Sequence, residues 1–167
     1  MPKTIVGVMG PGEKASAIDL KNAYEVGRLC AMQGFVIMTG GRPSGVMEAA
    51  LKGAKAANGE TIGILPSKLK GDATTFADIV IATGMNSARN FINVLTSDVL
   101  VACGLEAGTL SEVALTLKEQ KKVILLTENQ KAKDFLVDSY PSLVIIAISP
   151  EQAFKFILES VARKSSH

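Results

Sequence analysis

Short runs of Val, Ile and Leu alternate along the chain with longer segments in which apolar residues recur every three or four positions. The first pattern fits a strand buried on both faces, and the second an amphipathic helix. Strands are predicted at 4–9, 35–39, 61–65, 79–82, 98–103, 122–126 and 143–148. Helices are predicted at 16–33, 45–57, 87–96, 109–120, 131–137 and 150–163. Alternation of this kind marks βαβ units, so the expected fold class is α/β, with a mostly parallel sheet of about seven strands and helices on both faces.

Several element ends have a local cause. Gly34 follows the first helix as a C-cap, and Asn58-Gly59 follows the second. Ser149-Pro150-Glu151-Gln152 combines an N-cap serine, a first-turn proline and a capping-box glutamine. There is no repeat of fixed period, no low-complexity tract and no linker-like shift in composition. The longest irregular stretch, 67–78, reads either as an ordinary surface loop or as a flap.

Four apolar runs hand over to small-residue turns: Gly10-Pro11-Gly12, Gly40-Gly41-Arg42 with Gly45 beyond, Thr83-Gly84-Met85-Asn86-Ser87, and Gly104-Leu105-Glu106-Ala107-Gly108-Thr109. In a parallel sheet these turns share one edge, where backbone N–H groups and helix N-termini converge on a place suited to an anion. Arg42 and Arg89 add guanidinium groups that match phosphate oxygens. Thr109 and Glu112 carry two readings, a capping box at a helix start or a hydroxyl and carboxylate facing the same pocket. Val46 and Met47 read as helix-core residues.

Composition narrows the chemistry. A length of 167 residues suits a single domain that needs no disulfide. Cys30 and Cys103 sit in apolar runs without metal-ligand spacing, so they read as reduced core thiols and point to a reducing compartment. The N-terminus lacks a signal-peptide pattern and no apolar run has bilayer length, which places the protein in the cytoplasm without a membrane role. A net charge of +2 without a basic cluster argues against a nucleic-acid surface. The only histidine is His167, the last residue, so histidine-based triads and zinc sites are excluded and no metal site is expected. Any chemistry falls to carboxylates, Arg, Lys, hydroxyls or a bound cofactor.

Taken together, Gly7-Val8-Met9-Gly10-Pro11-Gly12, Thr39-Gly40-Gly41-Arg42 with Gly45-Val46-Met47, Lys52-Gly53-Ala54-Lys55, Thr61-Ile62-Gly63-Ile64-Leu65-Pro66, Ser87-Ala88-Arg89, and Ala107-Gly108-Thr109 followed by Glu112-Val113-Ala114-Leu115 resemble the molybdenum cofactor carrier proteins. The resemblance implies one Rossmann-like domain over 1–167 and a homo-oligomer, a tetramer or a dimer. It implies molybdenum cofactor (molybdopterin) as a carried ligand, held without alteration, and apo-molybdoenzymes as recipients. The implied binding residues are Gly10, Pro11, Gly12, Gly40, Gly41, Arg42, Gly45, Ser87, Arg89, Gly104, Glu106, Ala107, Gly108, Thr109 and Glu112.

The same larger group contains cytokinin-activating phosphoribohydrolases, whose activity relies on an Arg and a Glu matched here by Arg89 and Glu112. Hydrolysis of a nucleoside 5′-monophosphate is therefore the alternative function, and a non-catalytic nucleotide sensor is a third. The chain departs from the hydrolase pattern in two places. Asn90 stands where that pattern has Lys, and Gly104-Leu105-Glu106 replaces Pro-Gly-Gly. Glu106 would repel a phosphate docked against that loop.

Overall fold

The computed structural model describes residues 2–164. The seven strands are β1 (Ile5–Met9), β2 (Val36–Thr39), β3 (Thr61–Leu65), β4 (Ile79–Ala82), β5 (Val99–Cys103), β6 (Val123–Leu126) and β7 (Val144–Ile146). Between and after them run α1 (Ala17–Met32), α2 (Gly45–Ala56), α3 (Arg89–Thr96), α4 (Ala107–Lys118), α5 (Gln130–Ser139) and α6 (Pro150–Lys164). The strands form one parallel sheet in the order β4-β3-β2-β1-β5-β6-β7. The chain winds outward from β1 to β4, then restarts at β5 on the other side of β1. The strand order therefore reverses between β1 and β5, where open α/β sheets leave a crevice beyond their C-terminal ends.

Two cores flank the sheet. On one face Val6, Val8, Ile37 and Val101 pack with Val26 and Cys30 of α1, Val46 and Leu51 of α2, and Ile157 of α6. On the other, Met9, Met38, Ile64, Leu100 and Leu125 pack with Val94 of α3, Val113 and Leu117 of α4, and Leu136 of α5. β5 and β6 are buried along their whole length, which is why each reads as an unbroken apolar run. Helices α1 and α2 approach to backbone contact. A Cβ on Gly27 would lie 2.1 Å from the Ala50 carbonyl oxygen, and one on Gly53 would lie 2.0 Å from that of Tyr24.

The element ends follow the expected chemistry with small shifts. Gly34 takes φ +83° past the end of α1, but after α2 it is Asn58, at φ +56°, that adopts the left-handed turn. The α6 start is a stretched capping box. The Ser149 hydroxyl accepts from the Gln152 N–H, while Gln152 Oε1 accepts from the N–H of Ile148, one residue earlier than the usual partner. Helix α3 is shorter than predicted because a 3₁₀ turn, Asn86–Ala88, precedes it. In the irregular stretch the N–H of Thr74 donates to Gly41 O at 2.8 Å and its hydroxyl to Glu48 Oε1 at 3.0 Å. Those bonds fasten the segment to the β2–α2 junction. No helix among the described residues is long and apolar enough to cross a membrane. His167 lies outside the described residues.

Candidate functional site

A cleft of about 340 Å3 opens at the C-terminal edge of the sheet, above the β1–β5 switch point. It is lined from β1 and its loop by Met9 and Gly10, from the β2–α2 junction by Gly40, Arg42 and Met47, and from the end of β3 by Pro66. The segment before α3 and its first turn supply Asn86, Ser87, Arg89 and Asn90. The β5–α4 loop and α4 supply Glu106, Gly108, Thr109 and Glu112. The small-residue turns of the parallel sheet thus meet in one place.

Arg89 is the deepest cation, only 9% exposed. Its Nη1 donates to Asn90 Oδ1 at 2.8 Å and lies 3.7 Å from Glu112 Oε1, while its Nε is buried without a hydrogen-bond partner. A Cβ on Gly40 would come within 2.7 Å of Nη2 and 2.8 Å of Met47 Sδ, so a larger residue there would displace the guanidinium or the thioether. Desolvation lowers the Arg89 pKa from its ordinary value, Glu112 opposes that shift and nearby Arg42 adds to it. The cleft therefore holds a buried cation with unspent donor capacity, which favours an incoming anion.

Glu112 is 5% exposed and accepts at Oε1 from Asn93 Nδ2 at 2.8 Å. Burial raises its pKa to about 7, against the lowering effects of the Asn93 hydrogen bond and Arg89; Glu106 reinforces the rise. The capping-box reading of Thr109 and Glu112 fails, because α4 begins two residues earlier, with Glu106 as its N-cap. Thr109 is already inside the helix and buried, and Glu112 spends its carboxylate on α3 instead. Asn90, the residue in place of Lys, ties the same helices together by donating from Nδ2 to Ser111 Oγ at 2.8 Å.

Glu106 makes no side-chain bond to its own helix. Its Oε1 accepts from the N–H of Gly12 at 3.2 Å, bridging the β1 and β5 loops. The amide expected to cradle an anion thus already holds a carboxylate of the chain itself.

Of the residues singled out from sequence, Gly10, Gly40, Arg42, Ser87, Arg89, Glu106, Gly108, Thr109 and Glu112 line the cleft. Pro11, Gly12, Gly41, Gly45, Gly104 and Ala107 stand behind or beside it. Pro11 O accepts from the Val46 N–H, and Gly45, at φ +55°, leaves no room for a Cβ against Pro11 and Gly12. The α2 N-terminus is consequently closed by the first loop. Gly41 packs on Gly63, and Gly104 sits against the Asp19 carboxyl. Met9, Met47, Pro66, Asn86 and Asn90 join the lining without having been singled out as contacts. Met47, expected in the core, lines the cleft, whereas Val46 is fully buried. Met9 and Met47 look like core residues in any apolar pattern; Pro66 and Asn86 had a signal, as residues closing a strand or a turn.

Fold and site define the class: a doubly wound α/β protein with a ligand cleft at its topological switch point, built around a buried arginine. The chain belongs to the SLOG cluster4 family, whose profile matches residues 3–154. It is 53% identical, with a TM-score of 0.94, to the molybdenum cofactor binding protein from the phototrophic bacterium Rippkaea orientalis, covering 96% of this chain and 99% of that one. A molybdenum cofactor carrier protein from Chlamydomonas reinhardtii is 43% identical with a TM-score of 0.91, covering 96% of this chain and 99% of that one. An uncharacterized protein of Archaeoglobus fulgidus is 48% identical over 121 residues, or 72% of this chain and 78% of the relative.

Proposed function

We propose that this chain binds the molybdenum cofactor in the switch-point cleft, shields it and delivers it unchanged to an apo-molybdoenzyme in the cytoplasm. The observation that carries this reading is the buried, incompletely paired Arg89 in a cleft whose near full-length relatives are named for binding or carrying that cofactor. A volume of about 340 Å3 sits at the lower end of small-molecule sites. Arg89 and Arg42 would hold the anionic ends of the cargo, the first-turn N–H groups of α4 at Gly108 and Thr109 would add donors, and Ser87 a hydroxyl. Met9, Met47 and Pro66 would cover its less polar parts and exclude water. Cargo bound in this way is released by reversing hydrogen bonds and ion pairs, with no covalent step.

Anaerobic titration of the purified protein with molybdenum cofactor, reading molybdenum and pterin per chain, tests this directly. Saturable binding of both is expected. Binding of neither under reducing conditions overturns the reading.

A second reading, hydrolysis of a nucleoside 5′-monophosphate, is favoured by one observation: Glu112, protonatable near neutrality, lies 3.7 Å from Arg89. Release of ribose 5-phosphate that is lost in Glu112→Gln would establish it, and its absence in a sensitive assay would remove it.

The protein is further proposed to be a homo-oligomer. Edge strand β4 exposes Ile79 (54%) and Ile81 (43%), and α3 on the same side of the sheet exposes Phe91 and Leu95. A second copy would cover this apolar face. Light scattering is expected to give a mass above one chain for the native protein and a smaller mass for Leu95→Lys; a monomeric native protein would refute the assembly.

A further inference from the structure

We infer that Glu106 selects the ligand: its carboxylate takes the two adjacent N–H donors of a 2-amino-4-oxopyrimidine, the edge that a pterin shares with a guanine base. This rests on the cleft being the ligand site proposed above.

Glu106 is the N-cap of α4, in extended conformation (φ −137°, ψ 180°), where a shorter Ser, Thr, Asp or Asn would turn back onto the first amides of its own helix. Instead it spans to Gly12 N, which fixes the carboxylate at the mouth between the β1 and β5 loops while it lines the cleft. That single bond uses one of about four acceptor positions. Among the described residues Glu106 forms no ion pair, although Arg42 and Arg89 line the same cleft. An anchored, acceptor-only group is therefore held ready in a site that otherwise favours anions.

The Gly12 bond also decides where the anion goes. With that N–H spent, the first loop does not offer it to a phosphate, and the positive charge of the cleft lies with Arg89 and Arg42 near Gly40. The lining thus carries both signs: Arg42 and Arg89 for an anionic group, with Glu112 held at Arg89, and the anchored Glu106 carboxylate for a neutral group that donates two hydrogen bonds. A 2-amino-4-oxopyrimidine presents its ring N–H and amino group side by side, and a carboxylate accepts from both. Adenine presents an amino donor beside a ring nitrogen lone pair, which opposes the second carboxylate oxygen. Matching an edge by two hydrogen bonds, against leaving one acceptor facing another, is worth about tenfold or more in affinity.

The test compares dissociation constants for GMP, AMP, inorganic phosphate and, under anaerobic conditions, molybdenum cofactor, in the native protein and Glu106→Gln. The substitution keeps side-chain length and an oxygen for Gly12, and exchanges the second acceptor for a donor. The native protein is expected to bind GMP about tenfold or more tightly than AMP. In Glu106→Gln that preference should shrink to about twofold and cofactor affinity fall by about tenfold, while phosphate binding holds or tightens. Failure of GMP to bind more tightly than AMP overturns the inference. So does a uniform tightening of GMP, AMP and phosphate in Glu106→Gln, since the carboxylate would then only repel anions. A GMP preference without cofactor uptake refutes the carrier reading alone, and cofactor uptake without that preference refutes this one alone. Thermal melts of both proteins without ligand separate a binding effect from loss of the loop–loop bridge.

Discussion

The two faces of the sheet are built for different ends. On the α1–α2 side, helices meet at glycine notches, backbone against backbone, and pack on the sheet through an apolar cluster. On the α3–α4 side the helices are joined by polar side chains, Asn90 to Ser111, Asn93 to Glu112 and Arg89 to Glu112, beside the cleft. Asn93 Oδ1 and Arg89 Nε are buried there without partners. The first side gains stability from contact that no ligand can alter. The second keeps unsatisfied polar groups that cost stability until a ligand arrives. Binding sites tend to be drawn from the less self-sufficient side of a fold, and here that side is identifiable from its hydrogen bonds alone.

The sharpest way to break this contrast is to fill a notch. Gly53→Ala puts a methyl group 2.0 Å from Tyr24 O, so α1 and α2 must separate. Thermal unfolding should show a loss of about 3 kcal/mol, a fall in Tm of roughly 6–12 °C. Gly71→Ala, with nothing within 4 Å, should stay within about 0.5 kcal/mol of the native protein.

On the other face the effect should appear in binding rather than in folding. Arg89→Ala is expected to weaken the anionic cofactor by about 2–3 kcal/mol, measured by anaerobic titration against Lys131→Ala on the exposed α5 surface. Equal affinities in the two variants would take Arg89 out of the site.

The smallest effect concerns pH. Because the folded-state pKa of Glu112 is raised from 4.5 to about 7, the folded protein holds a proton there that the unfolded chain has released between those values. Its contribution to stability is therefore greatest below the lower value and declines as pH rises through about 7. An arriving anion at Arg89 adds negative charge beside Glu112, with Arg42 close by and Glu106 also acting on Glu112, so anion affinity should also fall from pH 6 to pH 8. Calorimetric titrations of the native protein and Glu112→Gln should show both slopes flattened in the variant.

Much of this was legible in the residues. Strands such as 99–103 announce themselves as unbroken apolar runs because they are buried on both faces, and the shared edge of a parallel sheet makes small-residue turns a guide to the cleft. Arg89 and Glu112 were legible as a pair for the same reason. What escaped depends on distance along the chain. The Gly12–Glu106 bond joins residues 94 apart, so no local pattern distinguishes an amide open to a ligand from one already taken. The closure of α2 by Pro11 is hidden similarly, as is the turn of Met47 toward the cleft rather than into the core.

The two cysteines also bear on a cargo that carries sulfur. Both are free and buried, Cys30 with its pKa pushed up to about 12 and Cys103 raised as well, each chiefly by desolvation. Both pack in the core on the α1 face, and neither is among the residues that line the cleft. A dithiolene held in that cleft would meet the thioethers of Met9 and Met47 but no thiolate, so the lining offers no mixed disulfide and no metal–thiolate bond. Release of such a cargo need not undo a bond to a protein thiolate.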